Sequence, residues 1–322
     1  MRRIIINQHI EDLSRDYAKD LFRFRIASFV RPISGLNILL GRLRALEPGV
    51  ASHYGDYVHV IIRSYRLLND IRPEKFDQLH NRLFALIPVT LSEKITVNRK
   101  KKAFYEHVCD AMRYDAVRDE DFLPYVRKLG IRACVYCNVQ YALSINFDDK
   151  DYAKFELDHS KPQSEFPYLC TNFFNLTPSC PNCNKYKSGN PVRFSLYTID
   201  PLELNPFSFK LDKRSMIKYM LSRNFEDLRI IFDHGTDPGH QTTFKIDATY
   251  NVLKDVVEEI IWKHKIYSEN YLEALSEAFS KKFSRGDFLR FIVGNYTAPQ
   301  DVHKRPLAKL TQDIASQLKI LK

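Results

Sequence analysis

Four of the six cysteines form two pairs whose spacing is typical of a metal site. The pairs are Cys134-Val-Tyr-Cys137 and Cys180-Pro-Asn-Cys183. Two thiolates three residues apart on a tight turn can bind one ion, and a second pair completes the tetrahedron that Zn²⁺ prefers. Because four thiolates leave no open coordination position, the sequence predicts a structural Zn²⁺ ion bound by all four cysteines and not a catalytic one.

A group of polar residues lies between and just after the two cysteine pairs. The pairs are separated by 42 residues, more than a minimal zinc ribbon needs, so we expect further structure between them. Taken singly, an Asp-His pair is more often ordinary polar structure than a functional site, and Asn near Pro usually marks a turn. Together, and supported by one metal site, they predict a compact polar cluster. Its members are Asp158, His159, Pro162, Asn175, Leu176, Asn184, Lys185 and Lys187.

The order and spacing of these residues resemble the HNH endonucleases of the ββα-metal type, in the form whose motif is flanked by cysteine pairs. The family pattern is C-x-x-C, then D-H near the end of a strand, P, N-L, and finally C-x-x-C-N-x-x-K. The stretch 134–187 of this chain contains every one of these positions in order. The third family position, often His, is Asn184 here, which is a common variant. A neutral oxygen ligand at that place favours Mg²⁺ or Mn²⁺ over a soft metal.

The resemblance implies a role for each matching residue. His159 would be the general base that deprotonates a water molecule, since imidazole titrates near working pH. Asp158 and Asn184 would bind the catalytic Mg²⁺ or Mn²⁺, and Asn175 would hold the loop that carries His159 by hydrogen bonding to its backbone. Lys187 and Lys185 would neutralise the phosphate or the neighbouring backbone. Adjacent strand residues point to opposite faces, so Asp158 and His159 can reach one phosphate only if the strand bends or ends there.

The implied reaction is metal-assisted hydrolysis of DNA phosphodiester bonds. One base and one cation cut one strand, so a double-strand break would need two sites or two successive nicks. Two alternatives remain open from the residues. One is a catalytically silent zinc module that binds nucleic acid or protein. The other is a ribonuclease of the same fold.

The elements around this motif are predicted to be mainly helical. We expect an α+β fold, mostly α, with an N-terminal helical domain (1–130), the ββα-metal module with its four-cysteine zinc site (131–195) and a mainly helical C-terminal domain (196–322). The stretch 228–232 has the character of a strand. The predicted helix boundaries are a cap at Ser34 with an end at Glu47, a start at Pro73 with an end at Pro88, a cap at Ser92, an end at Gly130, and a long helix from Asp247.

The net charge favours a polyanionic partner. The chain has 49 Lys and Arg against 39 Asp and Glu, a formal net charge of +10. Nucleic acid is the first candidate and an acidic membrane surface the second, while a merely basic protein is the plain alternative. Between Ile131 and Arg193 there are seven basic and six acidic residues, so the excess lies in the flanking regions. The run Arg99–Lys102 could bind the nucleic-acid backbone, or it could be a solvated helix end.

The remaining features bear on location and partners. No apolar run reaches the roughly 18 residues of a membrane-spanning helix, and the apolar part of the N-terminus is only Ile4–Ile6, so neither a span nor a signal peptide is expected. We predict a cytoplasmic protein with no disulfides, in which Cys170 is a buried packing residue and Cys109 also lies outside the metal pattern.

A weaker resemblance concerns the C-terminal region. Residues 244–259 are similar to those of HNH effectors that act beside an ABC-type ATPase in bacterial anti-phage systems. This resemblance implies a defence nuclease that is restrained until its ATPase partner senses infection.

Overall fold

The computed structural model describes residues 1–46, 48–188, 190, 192–279 and 282–321. Helices predominate, and every sheet among the described residues has two strands. The chain is therefore a mixed α and β protein with a large helical share, as the sequence predicts. No helix in the described part of the chain has both the length and the apolar composition that crossing a bilayer requires.

The first 130 residues are largely helical. The helices are α1 (Gln8–Asp20), α2 (Pro32–Arg44), α3 (Pro48–Asp70), α4 (Phe76–Leu83), α5 (Phe104–Ala111), α6 (Tyr114–Ala116) and α7 (Leu123–Lys128).

The predicted cap at Ser34 is wrong. Helix α2 begins at Pro32, whose fixed φ suits the first helical turn. That helix ends at Arg44, and the predicted end at Glu47 lies outside the described residues. Pro73 opens a short 3-10 turn before α4, but this helix ends at Leu83 and the predicted end at Pro88 is wrong. Gly130 has a φ of +70° after α7, as expected of a helix end.

The helix predicted from Ser92 is a β-hairpin instead. Strands β2 (Lys94–Val97) and β3 (Lys100–Ala103) pair antiparallel, and the two turn residues Asn98 and Arg99 both have positive φ. Ile95 and Val97 are buried while their strand neighbours are exposed, which is the period of a strand. The run Arg99–Lys102 therefore lies on this hairpin and not at a helix end.

The C-terminal region is also mainly helical, but its predicted long helix is interrupted. The elements are β8 (Tyr197–Thr198), β9 (Ser208–Leu211), α9 (Lys213–Ser222), β10 (Ile230–Asp233), α10 (Pro238–Phe244), α11 (Ile246–Asn251), α12 (Lys254–Ile266), α13 (Glu269–Phe279), α14 (Arg285–Val293) and α15 (Ala308–Gln317). Helix α11 ends where the Asn251 side chain hydrogen-bonds both the N–H and the C=O of Ile230, 3.0 and 2.8 Å away. This tertiary anchor on β10 outweighs the helical periodicity. The strand predicted at 228–232 is present, because β10 pairs with β9.

Two antiparallel strand pairs and a helix occupy the centre of the sequence. Strands β4 (Leu143–Phe147) and β5 (Lys150–Lys154) form one hairpin. Strands β6 (Glu156–His159) and β7 (Leu176–Ser179) form a second pair, in which Asp158 lies opposite Thr177. Helix α8 (Pro181–Lys187) follows β7 directly. Strand β1 (Ile4–Ile5) pairs in parallel with β8 after this region.

The loop between β6 and β7 is held by the N-terminal helices. Asn172 is fully buried, and its amide donates to the carbonyl oxygens of Leu68 and Ile71 near the end of α3. Tyr17 of α1 donates to the carbonyl oxygen of Thr171 at 2.8 Å. The buried apolar residues form one cluster that draws on all three predicted segments. The division into three domains therefore stays a prediction.

Candidate active site and metal centre

The four paired cysteines come together in the fold. Their sulfur atoms all lie within 4.8 Å of one another, and all four side chains are buried. A tetrahedral Zn²⁺ ion with bonds of about 2.3 Å needs sulfur atoms about 3.8 Å apart, so this group could hold a metal ion such as zinc. Cys109 and Cys170 are buried free thiols outside the group.

The first cysteine pair is fixed by the C-terminal segment. Asn138, which follows the pair, is fully buried and has a φ of +54°. Its side chain donates to the carbonyl oxygen of Val302 and accepts from the backbone N–H of Lys309, both at 2.9 Å. Tyr250 donates to the carbonyl oxygen of Cys137 at 2.7 Å. Because these contacts are buried, the cysteine turn has a rigid support.

One cleft brings together the other predicted site residues. It has a volume of about 1560 Å³ and is lined by Asp158, His159, Asn184, Lys185 and Lys187. Strand β6 ends at His159, and this strand end lets the adjacent Asp158 and His159 reach the same cleft. Asn175 is fully buried and does not line the cleft.

His159 is held in position by the loop that precedes β7. Its Nε2 atom lies 3.1 Å from the carbonyl oxygen of Cys170, and the amide of Gln163 lies 3.1 Å from the same nitrogen. The Cys170 carbonyl only accepts and the amide nitrogen of Gln163 only donates, so the two contacts fix the position of the ring but not its tautomer. In the tautomer whose Nε2 donates to Cys170, Nδ1 keeps its lone pair. No described residue hydrogen-bonds Nδ1, and Nδ1 is not among the buried unpaired atoms, so it faces the cleft.

The surroundings of His159 favour the neutral ring. Burial lowers the pKa of His159 to about 4, although the charge of Asp158 acts in the opposite direction. The ring of Tyr114 packs on the imidazole with 4.8 Å between the ring centroids. The Tyr114 hydroxyl donates to the carbonyl oxygen of Leu157 on the same strand. At neutral pH the imidazole is therefore an uncharged acceptor in a fixed position. Its pKa lies below the near-neutral value that the sequence-based expectation assumed, because the ring is buried.

One oxygen of the Asp158 carboxylate is already occupied. Oδ2 accepts from the Tyr136 hydroxyl at 2.5 Å and from the Lys187 ammonium at 2.7 Å. The side chains of Lys187 and Asp158 are only 10% and 12% exposed, so solvent screens their attraction little. Burial raises the pKa of Tyr136 well above its usual value, which keeps the hydroxyl protonated as a donor. No described residue hydrogen-bonds the other oxygen, Oδ1.

Asn184 and Glu156 place two further side chains with oxygen donors in the same cleft. The Asn184 amide nitrogen donates to a carboxylate oxygen of Glu156 at 2.5 Å. The Asn184 carbonyl oxygen has no hydrogen-bond partner in the described part of the chain. Glu156 is two residues before Asp158 on β6 and lines the same cleft. Carboxylate and amide oxygens are the donors that Mg²⁺ and Mn²⁺ prefer, so Asp158, Asn184 and Glu156 suit such an ion.

Asn175 ties the loop after His159 to the body of the protein. Its side chain accepts from the backbone N–H of Lys161 at 2.7 Å and donates to the carbonyl oxygens of Lys161 and Leu169. Its own carbonyl oxygen accepts from the N–H of Ser160. These contacts hold the backbone of the loop that follows His159.

The two lysines differ from one another. Lys187 is largely buried, and besides Asp158 its ammonium donates to the carbonyl oxygen of His159 at 2.6 Å. It therefore positions the two residues of the predicted site and is not free for a phosphate. Lys185 is exposed at the edge of the cleft and has no partner among the described residues.

Sequence reasoning did not assign roles to Glu156 or Tyr136. Glu156 could have been found, because a residue two positions before Asp158 lies on the same face of a strand. Tyr136 lies between the first two cysteines, and nothing in the local sequence indicates that its hydroxyl reaches Asp158. Comparison with family models, curated proteins and solved structures gives no match for this chain.

Proposed function

We propose that this chain is a metal-dependent endonuclease that hydrolyses DNA phosphodiester bonds. The observation that carries the proposal is the arrangement of His159. Its Nε2 is held by the Cys170 carbonyl, and its open Nδ1 shares a cleft with Asp158. A general base needs a free lone pair in a fixed direction, and the ring meets this requirement in the tautomer whose Nε2 donates to Cys170.

The residues of the cleft have different roles in the proposed hydrolysis. Nδ1 of His159 accepts a proton from the attacking water, and the charge of the imidazolium is then stabilised by the adjacent Asp158. Asp158 and Asn184, together with Glu156, would hold Mg²⁺ or Mn²⁺. Such an ion supplies Lewis-acid stabilisation of the phosphate and of the departing oxygen. Lys185 binds the phosphate backbone from the exposed edge.

The four-cysteine group would hold a structural zinc ion. Its sulfur atoms are buried and closed off by protein, so they offer no position for a substrate. Its contribution is to position Asp158. Tyr136 lies between the first two cysteines, Lys187 is on α8 together with Cys183, and both side chains bind Asp158. A thiolate site of this kind would also contribute folding free energy.

The second candidate is a catalytically silent zinc module. The close pairing of Lys187 with Asp158 favours it, since a cation at 2.7 Å already neutralises the carboxylate that would bind the metal. Against it stands the open Oδ1 of Asp158, which leaves one oxygen for an ion. The fixed position of the His159 ring beside Asp158 also has no evident purpose in a silent module.

A partner ATPase stays a prediction from the weaker resemblance. The residues that carry it, 244–259, span the end of α10, all of α11 and the first half of α12. If the chain is a restrained defence nuclease, the isolated protein should cut slowly and a candidate ABC-type ATPase should change its rate. Equal rates with and without the partner would remove this part of the proposal.

Incubation of the purified chain with supercoiled plasmid and with a structured RNA tests the proposed reaction. We expect plasmid nicking with Mg²⁺ or Mn²⁺ and none in EDTA. Cutting of the RNA alone would favour a ribonuclease of the same fold. No cutting of either substrate, with metals and candidate partner present, would favour the silent module.

A further inference from the structure

A second cavity lies between the N-terminal helices and the β2–β3 hairpin. We call it the hairpin cavity. It has a volume of about 630 Å³, in the range of small-molecule sites. One wall is apolar and includes Val30 and Ile38, which are 36% and 45% exposed. Helix α2, the β2–β3 hairpin, α5 and the turn after α5 contribute the remaining lining.

The other side of the hairpin cavity is cationic. Its lining includes four basic residues, Arg42, Lys100, Lys102 and Arg113, against two acidic ones, Asp110 and Asp115. Both acidic residues are already paired. Asp110 binds Lys102 at 2.7 Å, and Asp115 binds Arg118, which lies outside this cavity, at 3.1 Å.

Three cations of the hairpin cavity keep donors that no acidic residue occupies. The side chains of Arg42 and Lys100 have no hydrogen-bond or ion-pair partner in the described part of the chain. Arg113 donates from Nε to the carbonyl oxygen of Val30 at 2.7 Å and its guanidinium lies over the ring of Phe29, which leaves its two terminal nitrogens without a hydrogen bond to the described residues. An apolar wall beside unpaired cations is suited to a ligand that combines a flat apolar group with an anion.

The hairpin cavity and the candidate active site share one chain segment. Arg113, Asp115 and Ala116 line the cavity, whereas Tyr114 and Arg118 line the cleft. Arg113 has a φ of +62°, a backbone conformation that is unfavourable for a residue with a Cβ. Tyr114, its neighbour, packs on the ring of His159. A change in the backbone of Arg113 would therefore act directly on the ring against which His159 is packed.

We propose that the hairpin cavity binds a nucleoside phosphate, whose base would pack on Val30 and Ile38 and whose phosphates would bind Arg42, Lys100 and Arg113. Binding acts on the candidate active site through Arg113 and Tyr114. This second part rests on the proposed nuclease function, whereas the binding site itself does not.

Calorimetric titration of the full chain with AMP, ADP, ATP and GTP, in EDTA, tests the site. We expect at least one nucleotide to bind with a Kd below about 1 mM, and adenosine alone and inorganic phosphate alone to bind at least about tenfold more weakly. Arg42→Ala and Lys100→Ala should each weaken the nucleotide about tenfold or more. Lys101→Ala is the matched control and should keep the affinity. Lys101, which lies opposite Thr96 of β2, is on the other face of β3 from Lys100 and Lys102 and does not line the cavity.

Asp158→Asn separates the hairpin cavity from the cleft. We expect this variant to bind the nucleotide as tightly as the unchanged chain. Binding that is lost in Asp158→Asn but kept in Lys100→Ala would overturn the proposal, as would the absence of binding by all four nucleotides. The coupling between the hairpin cavity and the candidate active site is measured separately. We expect the nucleotide to change the rate of plasmid cutting in the unchanged chain but not in Lys100→Ala. If the chain cuts nothing, the calorimetry still decides the binding site.

Discussion

The hydroxyl of Tyr136 donates a hydrogen bond to the carboxylate of Asp158, with 2.5 Å between the oxygen atoms. Tyr136 belongs to the turn between Cys134 and Cys137, while Asp158 is on β6 at the candidate active site. The ring of Tyr136 is fully buried and stacks on Phe244 of α10. The proposed structural metal and the proposed catalytic carboxylate are thus connected by one rigid side chain.

Removal of this hydroxyl tests the connection. In Tyr136→Phe, Asp158 keeps Lys187 but loses the neutral donor that orients Oδ2. A hydrogen bond to a charged group contributes about 1.5–3 kcal/mol, so we expect roughly a tenfold to hundredfold loss of cutting. Part of it should be recovered at higher Mg²⁺ concentration, because the ion then orients the carboxylate. The measurement is cutting rate against Mg²⁺ concentration.

Zinc content is the control for Tyr136→Phe. We expect it to equal that of the unchanged chain, because the four sulfur atoms are untouched. Loss of zinc in this variant would mean that the tyrosine serves the metal centre and not Asp158.

Cys180→Ser should lose the bound zinc and destabilise the fold. A serine hydroxyl is a poor ligand for Zn²⁺. Structural zinc sites can contribute on the order of 10 kcal/mol, so we expect the free energy of unfolding to fall by several kcal/mol. Metal analysis by mass spectrometry and urea unfolding measure the two effects. Cys109→Ser is the matched control, because Cys109 is a buried cysteine outside the four-cysteine group. This variant should bind as much zinc as the unchanged chain. Equal zinc content in both variants would refute the assignment of the four-cysteine group.

Asn175→Ala should loosen the loop that carries His159. The substitution leaves the N–H and C=O of Lys161 and the C=O of Leu169 without their partner. Unpaired buried groups cost about 1–3 kcal/mol each, so we expect a loss of about 3 kcal/mol in the free energy of unfolding. Urea unfolding measures it. Asn182→Ala, an exposed asparagine on α8, should unfold like the unchanged chain, and equal stability of both variants would contradict the role of Asn175.

The two lysines should give different kinetic effects. Lys187→Met removes the charge beside Asp158 and the donor to the His159 carbonyl, so we expect kcat to fall about tenfold or more. Lys185→Met removes an exposed phosphate contact and should raise KM only a few-fold. Steady-state cutting of a short duplex separates the two constants. A rise in activity in Lys187→Met would instead mean that Lys187 blocks the site, as in the silent-module alternative.

The sequence predicts the residues of the site better than their contacts. The spacing of the cysteines predicts a four-sulfur group, and the structure places the four sulfur atoms together. The order of Asp158, His159 and Asn184 predicts a shared location, and one cleft contains all three. The Tyr136–Asp158 and Lys187–Asp158 contacts could not be predicted, because they depend on the side-chain directions of separate elements.

The errors in the fold have local causes. Around Ser92 the lysine-rich composition suits a helix, but the alternation of Ile95 and Val97 with polar residues is that of a strand, and the burial of these two side chains decides the outcome. After Asn251 the helical periodicity continues, yet the contact of Asn251 with the edge of β10 ends α11. In both places a long-range contact outweighs local propensity.

The rate of plasmid cutting by His159→Ala tests the proposed function most directly. With Mn²⁺ present and zinc content unchanged, we expect the rate to fall about 10²- to 10⁴-fold, the usual contribution of a general base. His9→Ala, an exposed histidine in α1, should cut like the unchanged chain. Full cutting activity in folded His159→Ala protein would contradict the assignment of the base and, with it, the proposed mechanism.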